Sequence, residues 1–180
     1  MPYKALLMDR DGIVNVDHGY VGDIGRFTFM DGIFTLARHA VDRGFRVAII
    51  TNQSGIARGY FTEAGFLELS DWMRGMFLAQ GVELAGVFHC PYHRGGVVER
   101  YARDSFWRKP NPGMILEAAR RLDLDLSRSV FLGDQPTDME AARAGGVERR
   151  VLLSSENDPA RQGAATSVIR HHTELIPTLR

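Results

Sequence analysis

Two aspartates separated by one residue, Asp9 and Asp11, close a short apolar run and are followed at once by Gly12. Phosphate-ester cleavage needs a nucleophile and an acid for the leaving oxygen. A carboxylate pair can supply both, with an aspartyl-phosphate formed on the way. Three further polar stretches share this character: Thr51-Asn52, Arg108-Lys109-Pro110 and Gly133-Asp134-Gln135-Pro136-Thr137-Asp138. Asp134 is a second acidic locus that could meet Asp9 and bind Mg²⁺, an ion that prefers a few carboxylates, waters and a phosphate oxygen. Such an ion offsets the repulsion between an anionic nucleophile and an anionic ester. Lys109 is the best phosphate counter-ion, a compact charge with movable donors. The Thr51 hydroxyl, with the amides of Thr51 and Asn52, can cradle a phosphoryl oxygen. Asp138 has two jobs open to it, orienting Lys109 or capping a helix. Taken singly, each feature has an ordinary alternative: an acidic turn, a surface lysine, a turn cap. Together they describe metal-assisted phosphoryl transfer.

These groups need elements that aim them at one place. Apolar runs predict strands at about residues 4–8, 47–50, 84–89, 129–132 and 150–153, with a small edge strand at 166–169. Between them, apolar residues at helical spacing predict helices over 31–43, from the Thr62 cap to Gln80, and from Asn111-Pro112 to Leu122. A short alanine-rich helix spans Pro136 to Ala144 before Gly145-Gly146, and Thr173 to Leu179 forms a terminal helical turn. Loops are expected at 12–31, 51–59, 90–109 and 154–163. Strands alternating with helices argue for an α/β three-layer sandwich with a mostly parallel sheet and right-handed crossovers. Asp9, Thr51 and Asp134 then all fall at carboxyl ends of strands, where open α/β sheets place their sites.

A chain of 180 residues, 44% of them apolar, forms one domain spanning 1–180 with a substantial core. Its 22 acidic and 22 basic side chains cancel, so no charge bias points to nucleic acid. The single cysteine, Cys90, excludes an internal disulfide framework and suits a reducing cytoplasm. No secretory signal or membrane span is read, and no surplus apolar element argues against a monomer. The chain has no Gly-x-x-x-x-Gly-Lys-[Ser/Thr] loop, no Gly-x-Gly-x-x-Gly and no Gly-x-Ser-x-Gly elbow. Triphosphate hydrolysis, dinucleotide binding and serine hydrolysis all lose support.

In their order along the chain, these loops resemble the motifs of the haloacid dehalogenase (HAD)-like phosphohydrolase superfamily. The stretches Asp9-Arg10-Asp11-Gly12, Asn15 and Asp17-His18-Gly19-Tyr20-Val21, then 51–59, 108–114 and Gly133-Asp134, are similar to the D-glycero-D-manno-heptose-1,7-bisphosphate phosphatases. Histidinol-phosphate phosphatases share the framework and stand as the alternative. The resemblance implies a HAD-like, Rossmann-like fold with almost no cap. It implies that Asp9 is the nucleophile, Asp11 the general acid and then base, and Thr51 and Lys109 the holders of the phosphoryl group. It implies Mg²⁺ on Asp9, the backbone carbonyl of Asp11, and Asp134. Asn52, Ser54, Arg58 and Arg108 are candidates for the rest of a small phosphorylated sugar, since arginine suits a second phosphate. The family's structural zinc is not expected. The four matching positions read Cys90, Tyr92, Ser105 and Trp107, and a closed zinc site needs four soft or imidazole ligands. Tyr92, Phe106 and Trp107 are expected to hold the 90–109 loop by packing instead.

Overall fold

The computed structural model describes residues 1–155 and 162–180. Six strands form one sheet: β1 (Ala5–Met8), β2 (Arg46–Asn52), β3 (Leu84–Cys90), β4 (Val130–Gly133), β5 (Arg149–Leu153) and β6 (Ser167–Ile169). Their order is β3-β2-β1-β4-β5-β6, and every pairing is parallel. The expected mostly parallel sheet is therefore wholly parallel among the described residues. Central strands are apolar throughout because both faces are covered. Ala5 to Met8 are all fully buried, with Leu6 and Met8 packing to one side and Ala5 and Leu7 to the other.

Helices α1 (Ile33–Asp42) and α3 (Glu63–Ala79) cover the first face, with the C-terminal 3-10 segment His172–Thr178. Helices α4 (Gly113–Leu122) and α5 (Pro136–Ala144) cover the second. Helix α2 (Ser54–Ala57) is a single turn after β2. The order reverses between β1 and β4, and the crevice at such a switch point is where ligands bind. The loops after β1 and β4 carry Asp9 and Asp134 into it.

The six strands, α1, α3, α4, α5 and the terminal 3-10 segment fall within two residues of their expected bounds, whereas α2 and a 3-10 turn at Ile24–Arg26 lie in stretches expected to be loops. Two differences have local causes. β2 continues through Thr51 and Asn52 because β3 runs beside them, pairing Thr51 with His89 and Asn52 with Cys90. Helix α4 begins at Gly113, and Pro112 stands outside it as the cap instead of in its first turn. The expected loop at 154–163 lies partly outside the described residues. Among the described residues no helix is long and apolar enough to cross a membrane.

The 90–109 segment is irregular except for a 3-10 turn at Glu99–Tyr101. Tyr92 and Trp107 pack against the core, but the Phe106 ring is 60% exposed, which corrects its expected role. It is the Phe106 carbonyl that is used, accepting from Gly113 N. A polar tether does the rest. Glu63, in the first turn of α3, accepts from the Tyr101 hydroxyl (2.5 Å) and bonds His89 Nε2 (2.8 Å), while His89 lies against Phe66. Cys90 is fully buried, and Ser105 Oγ accepts from Trp107 N. One thiol, a phenol, a hydroxyl and an indole do not fit a zinc site.

Candidate active site

β1 stops at Met8, but Asp9 N still donates to Leu132 O of β4 (3.0 Å), so the Asp9 side chain is fixed at the carboxyl edge of the sheet. The chain then turns tightly: Ile13, Val14 and Asn15 all donate to the Arg10 carbonyl. Gly12 closes this turn at φ 83°, and a Cβ there would collide with the Asp134 carboxylate. Glycine is required on both counts.

Lys109 is buried, and its ammonium donates to Asp9 Oδ1 (2.9 Å), Asp138 Oδ1 (2.7 Å) and Ile50 O (2.9 Å). Burial works against its charge, but Asp138 and Asp9 outweigh burial and push its pKa up. Lys109 is held by the Asn52 side chain, which donates to Lys109 O (3.1 Å) and accepts from Lys109 N (3.0 Å). Asn52 was a candidate for substrate; its amide clasps the lysine backbone.

Asp138 performs both of the jobs considered for it. While Oδ1 takes Lys109, Oδ2 accepts from the amides of Asp134 (3.2 Å) and Gln135 (3.1 Å) at the start of α5. Gly133 makes this possible, because a Cβ there would strike the Asp138 carboxylate. Oxygens of Asp9, Asp134 and Asp138 all lie within 4.8 Å of one another. Burial raises the Asp9 pKa to about 8; Lys109 opposes the rise, and Asp138, Asp134 and Asp11 add to it. Burial, then Asp138, raises Asp134 to about 6. The pocket thus holds more carboxylate than one lysine balances. Oxygen-only donors with surplus negative charge fit a hard divalent cation such as Mg²⁺. With Asp138 engaged by lysine and backbone amides, Asp9 and Asp134 are the carboxylates suited to hold it. The Asp11 carboxylate is not in this cluster.

Asp11 points across to β2. Its oxygens accept from Arg10 Nη2 (2.8 and 3.0 Å), Asn15 Nδ2 (3.0 Å) and Gln53 Nε2 (2.9 Å). Gln53 Nε2 also donates to Thr51 Oγ1 (2.9 Å), so one buried amide ties the candidate acid to the candidate phosphate cradle. Arg10 is fully buried, between Phe27 and Phe66. Gln53 and Arg10 were absent from the expected site. Their position beside Thr51 and Asp11 in the motifs is the only signal the sequence held.

Ser54 opens α2 and lines a cavity with Asp11, Asn52 and Gln53. Beyond it stand Arg58 and Arg108. Arg58 Nε and Arg108 Nη1 are buried without a hydrogen-bond partner among the described residues. Burial and then Arg58 hold the Arg108 pKa down, although Cys90 and Tyr20 act in the other direction. Arg58 Nη2 meets His93 Nε2 at 3.3 Å, and burial and then Arg108 and Arg58 lower the His93 pKa. Two half-buried guanidiniums with spare donors have the chemistry to receive an anion.

A HAD-hydrolase-like family model matches residues 106–179. The chain is 44% identical to a D-glycero-alpha-D-manno-heptose-1,7-bisphosphate 7-phosphatase of Burkholderia mallei, over 99% of this chain and 95% of the relative. It is 42% identical to the beta-anomer enzyme of Escherichia coli K12, over 98% and 93% of the two chains. Among solved structures, a HAD-like phosphatase from Mesorhizobium loti superposes with a TM-score of 0.87 at 34% identity, covering 99% of this chain and 86% of that one. The D,D-heptose 1,7-bisphosphate phosphatase of B. bronchiseptica, complexed with magnesium and phosphate, superposes with a TM-score of 0.84 at 28% identity, over 98% and 97%. With such identity along nearly its whole length, the chain belongs to the D-glycero-D-manno-heptose-1,7-bisphosphate 7-phosphatase family of HAD-like hydrolases.

Proposed function

We propose that this protein is a phosphoric monoester hydrolase that removes the C7 phosphate of D-glycero-D-manno-heptose 1,7-bisphosphate. The observation that carries the reading is the Lys109 ammonium, 2.9 Å from Asp9 Oδ1 and 2.7 Å from Asp138 Oδ1, with an Asp134 oxygen within 4.8 Å of those of Asp9 and Asp138, at the carboxyl rim of the sheet. Asp9 attacks phosphorus, the C7 oxygen departs, and an aspartyl-phosphate remains on Asp9. Asp11 gives its proton to that leaving oxygen, then takes one from the water that hydrolyses the acyl phosphate. Lys109 and the Thr51 hydroxyl hold the phosphoryl oxygens in line. Asp9, Asp134 and the Asp11 carbonyl would hold Mg²⁺, which would supply positive charge against the anionic ester. Arg58 and Arg108 receive the phosphate that stays on the sugar, with Ser54 beside the sugar.

Histidinol phosphate fits this arrangement less well. Its distal end carries an amine and an imidazole, which two guanidiniums would repel. The test is phosphate release from heptose 1,7-bisphosphate and from histidinol phosphate, with and without Mg²⁺. Because relatives named for the alpha and beta anomers match at 44% and 42%, both anomers are presented. Mg²⁺-dependent turnover of a heptose bisphosphate, well above that of histidinol phosphate, is the expected result; the reverse preference would reject the reading.

A further inference from the structure

We infer that His172 is a positioning residue for Asp9 and Asp11, braced against their turn by the C-terminal segment of the chain. This rests on the catalytic roles given to the two aspartates above. His172 is buried, and its Nε2 lies 2.8 Å from the Ile13 carbonyl oxygen, 159 positions away in sequence. A carbonyl only accepts, so Nε2 carries a proton and donates it. Ile13 sits in the turn that follows the two aspartates. On one side of it, Gly12 lies against the Asp134 carboxylate. On the other, Asn15 Nδ2 donates to Asp11 Oδ1 (3.0 Å), and Gly12 N donates to Asn15 O (2.8 Å). The backbone of the turn is thus tied at Asp9 N to β4, at Ile13 O to the C-terminal segment and at Val14 O to Met30 N. A buried carbonyl without a donor is costly, so loss of the imidazole would let the turn shift in search of one. Both aspartates would move with it.

The segment that carries His172 is built to stay in place. Leu175 and Leu179 are buried in the core on the face covered by α1. Glu174 Oε1 accepts from the amides of Arg170 (3.0 Å) and His171 (2.9 Å), which fixes the entry to the segment. His171 Nε2 meets Asp31 Oδ2 at 3.3 Å, just before α1. At the far end Arg149 of β5 donates to Thr178 O (3.0 Å) and Thr178 Oγ1 (2.8 Å), and Lys4 Nζ donates to Arg180 O (2.8 Å). A docked segment therefore delivers the imidazole as a rigid support. Reacting groups need such support, because small misplacements are expensive in rate. His172 acts through the backbone of the turn and not on the substrate, so its effect belongs to kcat.

The test measures kcat, KM and Tm, in the presence of Mg²⁺ and well below Tm for the kinetics, with heptose 1,7-bisphosphate and with p-nitrophenyl phosphate. The variants are His172→Phe, His172→Leu and His172→Gln. The first two fill the space without donating, whereas the Gln amide presents an N–H at a reach similar to that of Nε2. For His172→Phe and His172→Leu, kcat is expected to fall about tenfold on both substrates, with KM within about twofold of wild type. His172→Gln is expected to restore kcat to within about threefold. If neither apolar variant folds, His172→Asn, whose amide is too short to reach Ile13 O, takes their place with the same expected loss. A residue that only supports the fold would lower Tm and leave the kcat of the folded enzyme unchanged, and that result overturns the inference. So does a loss confined to KM, or a His172→Gln enzyme as slow as the apolar variants. Asp9→Asn is the control: sustained turnover in it overturns the reading of the site and the inference with it. An inactive Asp9→Asn beside wild-type kcat in the apolar variants overturns the inference alone.

Discussion

Asp9 and Lys109 hold each other in a balance that leaves room for one more cation. The lysine keeps its charge because two carboxylates face it, while Asp9 is pushed up to about 8 by burial and by three neighbouring aspartates. Both residues were legible from sequence, since a carboxylate or ammonium next to a strand end or a proline-led helix start has few other uses in combination. Gln53 was not legible. An amide has no characteristic chemistry, and its value comes from bridging two groups that only the fold brings to 2.9 Å on either side of it. Replacing Gln53 with Leu removes a hydrogen bond to Asp11 that is worth about 1.5 kcal/mol or more. The expected consequence is a fall of about tenfold in kcat, with KM moving less, measured by steady-state phosphate release. A kcat equal to wild type would show that Asp11 does not depend on this amide.

At the scale of elements, a parallel strand covered on both faces must be apolar at every position, and that is why the sheet could be read directly from runs such as Val47 to Ile50. The 90–109 segment follows no such rule. Its hold on the sheet is a set of side-chain pairings between positions far apart in sequence, Tyr101 to Glu63 and Glu63 to His89, which periodicity does not reveal. The expectation of aromatic packing succeeded for Tyr92 and Trp107 and failed for Phe106, because an irregular loop has no pattern to say which ring turns inward. Glu63 is held below the usual carboxylate range: burial raises it, but its hydrogen bonds to Tyr101 and His89 outweigh that. The Tyr101→Phe change removes one hydrogen bond to a charged group and is expected to cost about 1–2 kcal/mol. In a thermal melt this lowers Tm by roughly 3–6 °C for a chain of this size. An unchanged Tm would place the hold on the loop elsewhere.

For the molecule as a whole, the fold concentrates negative charge at the switch point between β1 and β4, and folding and cation binding are therefore linked. Asp9 and Asp134 have folded-state pKa values above their unfolded ones, so protonation favours the metal-free fold. Its stability falls as pH rises from about 4 towards 8 and these groups ionise. Protons and Mg²⁺ compete for the same oxygens, so Mg²⁺ affinity is expected to be higher at pH 8 than at pH 6. The rise in Tm on adding Mg²⁺ should follow the same order, by calorimetry at the two pH values; an equal rise at both would show that these carboxylates do not take the ion. In the proposed reaction, the loops after four strands converge so that one carboxylate, that of Asp9, would accept the phosphoryl group. That transfer is tested most directly by mixing the enzyme with Mg²⁺ and heptose 1,7-bisphosphate, quenching in acid within one turnover, and mapping the phosphorylated peptide by mass spectrometry. An acyl phosphate on Asp9, and no turnover in Asp9→Asn, are the expected results. A phosphate on another residue, or sustained turnover by Asp9→Asn, would contradict it.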